Sequence, residues 1–147
     1  MNNLMFQNMP DYIKEEMEGV MRKAKSLIKK NTVFTLLSIP LIVFSVFNLF
    51  FLVFRFGVES DMVYVLLLFA LLGSIGIALY KEAKAVRKEI RKVSSEHIVE
   101  RIEASDIVND YQKRDFIDSI KKRPVLAMSV FIQFLQEEKH RQENSSK

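Results

Sequence analysis

The sequence predicts an all-α protein: a transmembrane helical hairpin with amphipathic cytoplasmic helical arms that form a small bundle. Three observations predict it. Two uncharged apolar runs, Thr32 to Phe54 and Met62 to Tyr80, are joined by a link of seven residues. Stripes of apolar residues at alternating spacings of three and four lie on either side of the runs. Lys and Arg crowd the outer flanks of the runs and almost vacate the link. The expected division is therefore 1–31 (N-terminal amphipathic helix), 32–54 (first membrane helix), 55–61 (external link), 62–80 (second membrane helix) and 81–147 (helical tail).

The first run has 23 residues, which as helix reach roughly 34 Å against a hydrocarbon core of about 30 Å. The second has 19 and reaches roughly 28 Å. Backbone groups in lipid are satisfied only by helices or closed barrels, and two uninterrupted runs mean helices. A soluble chain of 147 residues rarely buries two helices on all sides. The link holds Arg55, Glu59 and Asp61, with Gly57 placed to make the turn. Lys14, Arg22, Lys23, Lys25, Lys29 and Lys30 precede the first run, and Lys81, Lys84, Arg87, Lys88, Arg91 and Lys92 follow the second. Bases stay on the cytoplasmic side, so both termini are expected inside and the link outside. The same clusters account for a net charge of +4 without nucleic acid as partner.

In the N-terminal arm, residues 1–9 read as loose. Pro10 suits a first helical turn, with Asp11, Glu15 and Glu16 at its positive end. Ile13, Met17, Val20, Ala24 and Leu27 form a heptad-type stripe. Continued in register, that stripe meets Ser38, Ser45 and Asn48 inside the first run, while Pro40 is expected to kink the helix. Packing faces in water are apolar, whereas in lipid they are small or polar, because the tails are as apolar as Leu. Ser38, Ser45 and Asn48 are therefore the candidate helix-packing residues of the first run, and Ala70, Gly73 and Gly76 those of the second.

No Gly or Pro separates Ile77 from Arg123, so the second helix is expected to leave the membrane unbroken, with Ala83, Val86, Ile90 and Val93 as its stripe. His97 continues that stripe as a polar end. Ser105 or Asp106 is the expected cap of a helix containing Ile107, Val108, Tyr111, Phe116, Ile117 and Ile120. Its acids are expected to pair at i, i+4, as Asp110–Arg114 and Asp118–Lys122. Pro124 opens a last element in which Val125 to Leu135 is densely apolar, too short to span a membrane and expected to be buried against the two arms, with docking on the membrane surface as the alternative. Glu137 to Lys147 is expected to fray.

Chemistry is scarce. The two histidines, His97 and His140, stand without a ligand-spaced partner, and no zinc, nucleophile-elbow or phosphate-loop motif occurs. With no Cys, disulfides, thiolate metal sites and lipid-modified cysteines are absent. No cleavable signal sequence is evident ahead of the first run, which reads as an uncleaved anchor. The expectation is a non-enzyme with no cofactor, no metal and no small-molecule substrate.

The stretch Phe6-Gln-Asn-Met-Pro-Asp-Tyr-Ile-Lys-Glu-Glu-Met17, ahead of a hairpin and a charged helical tail, resembles a family of uncharacterised small two-pass membrane proteins from Bacillus-type bacteria. The resemblance carries no catalytic residues. Two functions are left: a membrane-anchored helical interaction module, whose partners are the lipid bilayer and a second copy or another protein, or a small pore former or transporter accessory, holin-like in layout.

Overall fold

The computed structural model describes residues 9–56 and 62–145. The turn expected at Gly57, the loose start and the final residues 146–147 lie outside them. The order is α1 (Asp11–Phe56), α2 (Val63–Glu103), α3 (Asp110–Lys122), a 3-10 turn (Pro124–Leu126) and α4 (Ala127–Ser145). The described residues contain no strand. The boundaries drawn in sequence between arms and apolar runs are not breaks in structure. α1 and α2 each continue as one helix of 46 and 41 residues. Pro40 sits inside α1, and the helix runs on through it. The chain divides into two compact units, residues 1–25 with 89–147, and residues 26–88.

The first unit closes an apolar core. Ile13, Met17 and Val20 of α1, Ile98 and Ile102 of α2, and Val108 of the following loop join Ile117 and Ile120 of α3 and Ala127, Phe131, Phe134 and Leu135 of α4. Phe131 and Phe134 are fully buried, each stabilising by about 1.5–3 kcal/mol relative to exposure. Their rings stack at 6.5 Å, and Phe116 meets Phe134 edge-on at 5.5 Å.

Four local expectations are corrected here. The cap of α3 is Asn109, whose side chain accepts the Gln112 N–H at 2.9 Å. Ile107 and Val108 therefore precede the helix. Asn caps as well as Ser or Asp, and Ser105 is engaged elsewhere: its hydroxyl donates to Glu138 and accepts from the Ile107 N–H at 3.4 Å. Secondly, Val125 is three-quarters exposed, because Pro124–Leu126 forms a 3-10 turn before α4 begins. Thirdly, the polar end does not fray within the described residues. α4 continues to Ser145, with Arg141 bonded to Glu137 at 2.8 Å and Glu138 buried. Asp110 pairs with Lys113 at i, i+3 and 3.5 Å rather than with Arg114.

In the second unit, 26–56 of α1 lies antiparallel to 63–88 of α2. Early positions of α1 meet late positions of α2: Asn31 and Thr35 bond Arg87, Leu41 and Ile42 oppose Gly76, and Ser45 bonds the Phe69 carbonyl. Phe44 and Phe69 rings lie 5.8 Å apart. Ala83 and Val86 are buried here.

The cap yields a prediction for the full chain in detergent. Asn109→Ala should lower unfolding stability by about 1 kcal/mol, and Asn109→Asp should leave it near wild type, as read from denaturant unfolding followed by circular dichroism.

Candidate functional site

Two constellations stand out, one in each unit. The first is the seam of the 26–88 unit. Ser38 and Ser45 are fully buried, while Leu36, Phe44, Phe47 and Leu71 around them are exposed. Ser45 donates its hydroxyl to the Phe69 carbonyl of α2, and Ser38 donates to Thr35 of its own helix at 3.2 Å. The close approach is possible because Gly73 and Gly76 lack a Cβ. One added at Gly73 would lie 2.7 Å from Ser45 Oγ; one at Gly76 would lie 2.8 Å from Ile42 Cγ1 and 3.2 Å from the Ile42 nitrogen. Of the other two candidates, Asn48 is half-buried and donates to the Phe44 carbonyl of its own helix at 2.7 Å. Ala70 is exposed and its carbonyl accepts from Ser74 at 2.8 Å. The structure thus brings Ser45 and Gly73 together, with Gly76 against Ile42, and gives Asn48 and Ala70 partners within their own helices.

The second constellation lies in the unit of residues 1–25 and 89–147. The Arg101 guanidinium reaches Glu16 Oε1 of α1 at 2.7 Å and both carboxylate oxygens of Glu138 of α4, at 3.3 and 2.9 Å. Ser105 adds a hydroxyl donor to Glu138. Burial lowers the pKa of Arg101, but the hydrogen bonds and charges of Glu138 and Glu16 outweigh it and hold the pKa above its ordinary value. An arginine fork matches two carboxylates in a way lysine does not. The cluster bounds a cleft of about 390 Å³ that Tyr12, Glu15 and Lys139 also line.

Sequence reasoning passed over this cluster. A signal for it existed: Glu138 continues the spacing of Phe131 and Phe134–Leu135, so an acid falls on the buried face of α4. His97, read as a polar end, places Nδ1 3.6 Å from Glu100 Oε2, an acid one helical turn on. Among the described residues no group of three or more His, Cys, Asp or Glu is arranged to hold a metal.

Residues 5–143 match the model of a Family of unknown function (DUF5392). The uncharacterized protein YwnF of Bacillus subtilis (strain 168) is 34% identical over 141 residues, covering 96% of this chain and 97% of that protein. Both agree with the resemblance to an uncharacterised Bacillus-type family. No solved structure matches.

Each constellation generates a prediction. Gly76→Ala forces the Ile42 backbone to give, and should destabilise by roughly 1–3 kcal/mol. Gly73→Leu should also destabilise. Gly19→Ala, with nothing within 4 Å, should instead stabilise by about 0.5–1 kcal/mol through helix propensity. Thermal unfolding in detergent ranks the three. In the charge cluster, Arg101→Ala leaves Glu138 buried without its cation and should cost on the order of 3 kcal/mol. Arg101→Lys should recover only part of that loss in denaturant unfolding.

Proposed function

The chain belongs to the family of unknown function DUF5392, and from that premise we propose that it is a small two-pass integral membrane protein acting as a non-enzymatic, membrane-anchored helical interaction module. The observation that carries this reading is the inverted distribution of polarity in the 26–88 unit. α1 and α2 are each long and apolar enough to cross a membrane, yet only 11% and 6% of their most apolar windows are buried. The core helices of a soluble protein bury such windows. Here Leu36, Phe47, Phe54 and Tyr64 are each about two-thirds exposed or more, while Ser38 and Ser45 are hidden. An apolar exterior of this extent requires an apolar environment.

Residues 1–25 and 89–147 carry the module. Their shared core supports the reading of a small cytoplasmic bundle built from both arms and α4. Tyr111 and Val125, near opposite ends of α3, remain three-quarters exposed on its surface, and an exposed Tyr is the kind of anchor that protein partners bury. The partner is a second copy or another protein. In the pore-forming alternative a polar face would line water, whereas the buried hydroxyls of Ser38 and Ser45 are used up on backbone carbonyls. The twelve flanking bases support a topology with both termini in the cytoplasm.

The test uses the full chain in cells and in vesicles. Cys is absent from the natural sequence, so single cysteines report cleanly. Ser60→Cys should react with an impermeant thiol reagent in intact cells, and Ser145→Cys only after permeabilisation; the reverse would overturn the topology. The protein should resist carbonate extraction, and dye-loaded vesicles containing it should stay sealed. Leakage would favour the pore. Lysine crosslinking in native membranes should join the tail to a second copy or another protein, and Tyr111→Glu should weaken that product. If no crosslinked product forms, the interaction role fails while the membrane anchor stands.

A further inference from the structure

We propose that the groove beside Arg87 binds an anionic glycerophospholipid, the guanidinium taking the headgroup phosphate and the groove wall one acyl chain. The inference rests on the two-pass membrane reading and adds a site to it. Arg87 of α2 reaches across to α1, donating from Nε to Asn31 Oδ1 at 3.2 Å and from one terminal nitrogen to Thr35 Oγ1 at 3.1 Å. Both acceptors are neutral. Arg101 and Arg141, by contrast, face carboxylates, while the described residues show no ion pair at Arg87. A half-buried guanidinium is thus aimed and held by two polar side chains, with its charge uncompensated by the protein.

Around it lies a groove of about 420 Å³ lined by Asn31, Thr32, Thr35, Leu36, Ile39 and Pro40. Its chemistry is graded along α1. Asn31, Thr32 and Thr35 offer hydrogen-bonding groups beside the arginine. Leu36 and Ile39 are exposed and apolar one turn further on. Thr32 is also where the charge-free run begins, which in the two-pass reading is the level of the headgroups. Lys30, Lys84 and Lys88 stand near in sequence, with Glu82 the one acid between residues 26 and 58 or 62 and 88. A cation with hydroxyls at one end and an aliphatic wall at the other complements a phosphodiester with an acyl chain; a free phosphate would leave the aliphatic end unused. Basic pockets between membrane helices on the cytoplasmic side take anionic headgroups for the same physical reason.

The natural chain has no Trp, so Ile39→Trp places a single reporter in the groove. Full-length protein is reconstituted in vesicles of phosphatidylcholine with phosphatidylglycerol, one or the other carrying brominated chains. Brominated phosphatidylglycerol should quench this groove reporter about fivefold more effectively, per mole, than brominated phosphatidylcholine, the preference expected of one well-placed cation near the surface. Leu67→Trp, on the exposed face of α2 away from the groove, should show no such preference. Arg87→Gln should abolish the preference at the groove reporter, and Arg87→Lys should retain part of it. Lys88→Gln removes the same charge from an exposed position and should leave it nearly intact.

The outcomes separate. No quenching of the groove reporter by either lipid overturns the membrane reading and the site with it. Equal quenching by both lipids leaves the membrane reading standing and overturns the lipid site. An equal effect of Lys88→Gln and Arg87→Gln assigns the preference to diffuse surface charge and overturns the site. Loss of the preference on adding inorganic phosphate at constant ionic strength makes the occupant a free anion and overturns the lipid assignment. Arg87→Gln also removes a bond between helices, so each variant's thermal unfolding is measured. A lost preference in a variant that melts like wild type supports the site, and a retained preference overturns it whatever the melting temperature.

Discussion

Arg101 is the fixed point of the unit that closes a core. It draws one carboxylate from α1 and another from α4 onto a single guanidinium of α2, three elements that meet nowhere in sequence. Glu138 makes the arrangement obligatory. A buried carboxylate without a cation is costly, and its two oxygens are met by the arginine fork and the Ser105 hydroxyl. The apolar cluster of Ile13, Ile98, Ile120 and Phe131 is non-directional and would tolerate some sliding of helix on helix. The bidentate contact does not, because it is satisfied at one register only. Hydrophobic burial supplies most of the stability, and the charge cluster selects the register.

That same cluster decides where α3 starts. Ser105, Asp106 and Asn109 are all good capping residues, and local sequence gives no ground for choosing among them. Ser105 is spent on Glu138, and Asn109 holds the Gln112 N–H. A tertiary bond thus removes one of the three candidates. This is why the helical content and the 3–4 stripes were legible in the sequence, and the start of α3 was not. Ile13, Met17, Val20 and Ala24 follow from spacing alone and are buried. The use of Ser105 depends on a residue 33 positions away.

The candidate seam residues show the same division. Spacing set Ser38 and Ser45 on one stripe, and both are buried. Spacing says nothing of what the polar group does once it is there. Asn48 shares the stripe but turns to the Phe44 carbonyl, because an amide long enough to reach back one turn can satisfy itself within its own helix. Nothing larger than Ser45 fits its contact, since Gly73 leaves room for that hydroxyl and little else. The Arg87 contact was out of reach for sequence reading. It depends on which residue of α1 stands opposite, and the bonds to Asn31 and Thr35 span 56 and 52 positions.

One register along α1 carries two opposite solutions to burial. From Ile13 to Ala24 the hidden residues are apolar and their neighbours charged. At Ser38 and Ser45 the hidden residues are polar and their neighbours apolar and exposed. A single environment cannot stabilise both. In water, hiding Ser while exposing Leu36, Phe44 and Phe47 forfeits the hydrophobic term that drives packing. In lipid, Leu gains nothing by leaving the tails, so close backbone approach and a hydrogen bond become the available gains. The Ser45–Gly73 contact offers both. In the two-pass reading proposed above, the inversion bears on function through solvent: the 26–88 segment suits an apolar medium, and the unit of 1–25 and 89–147 an aqueous one. Arg87 stands where the two chemistries change over, with its polar partners on the α1 residues that open the charge-free run. In the two-pass reading, a cation held there by neutral groups would find its compensation in the phosphate layer between the two media.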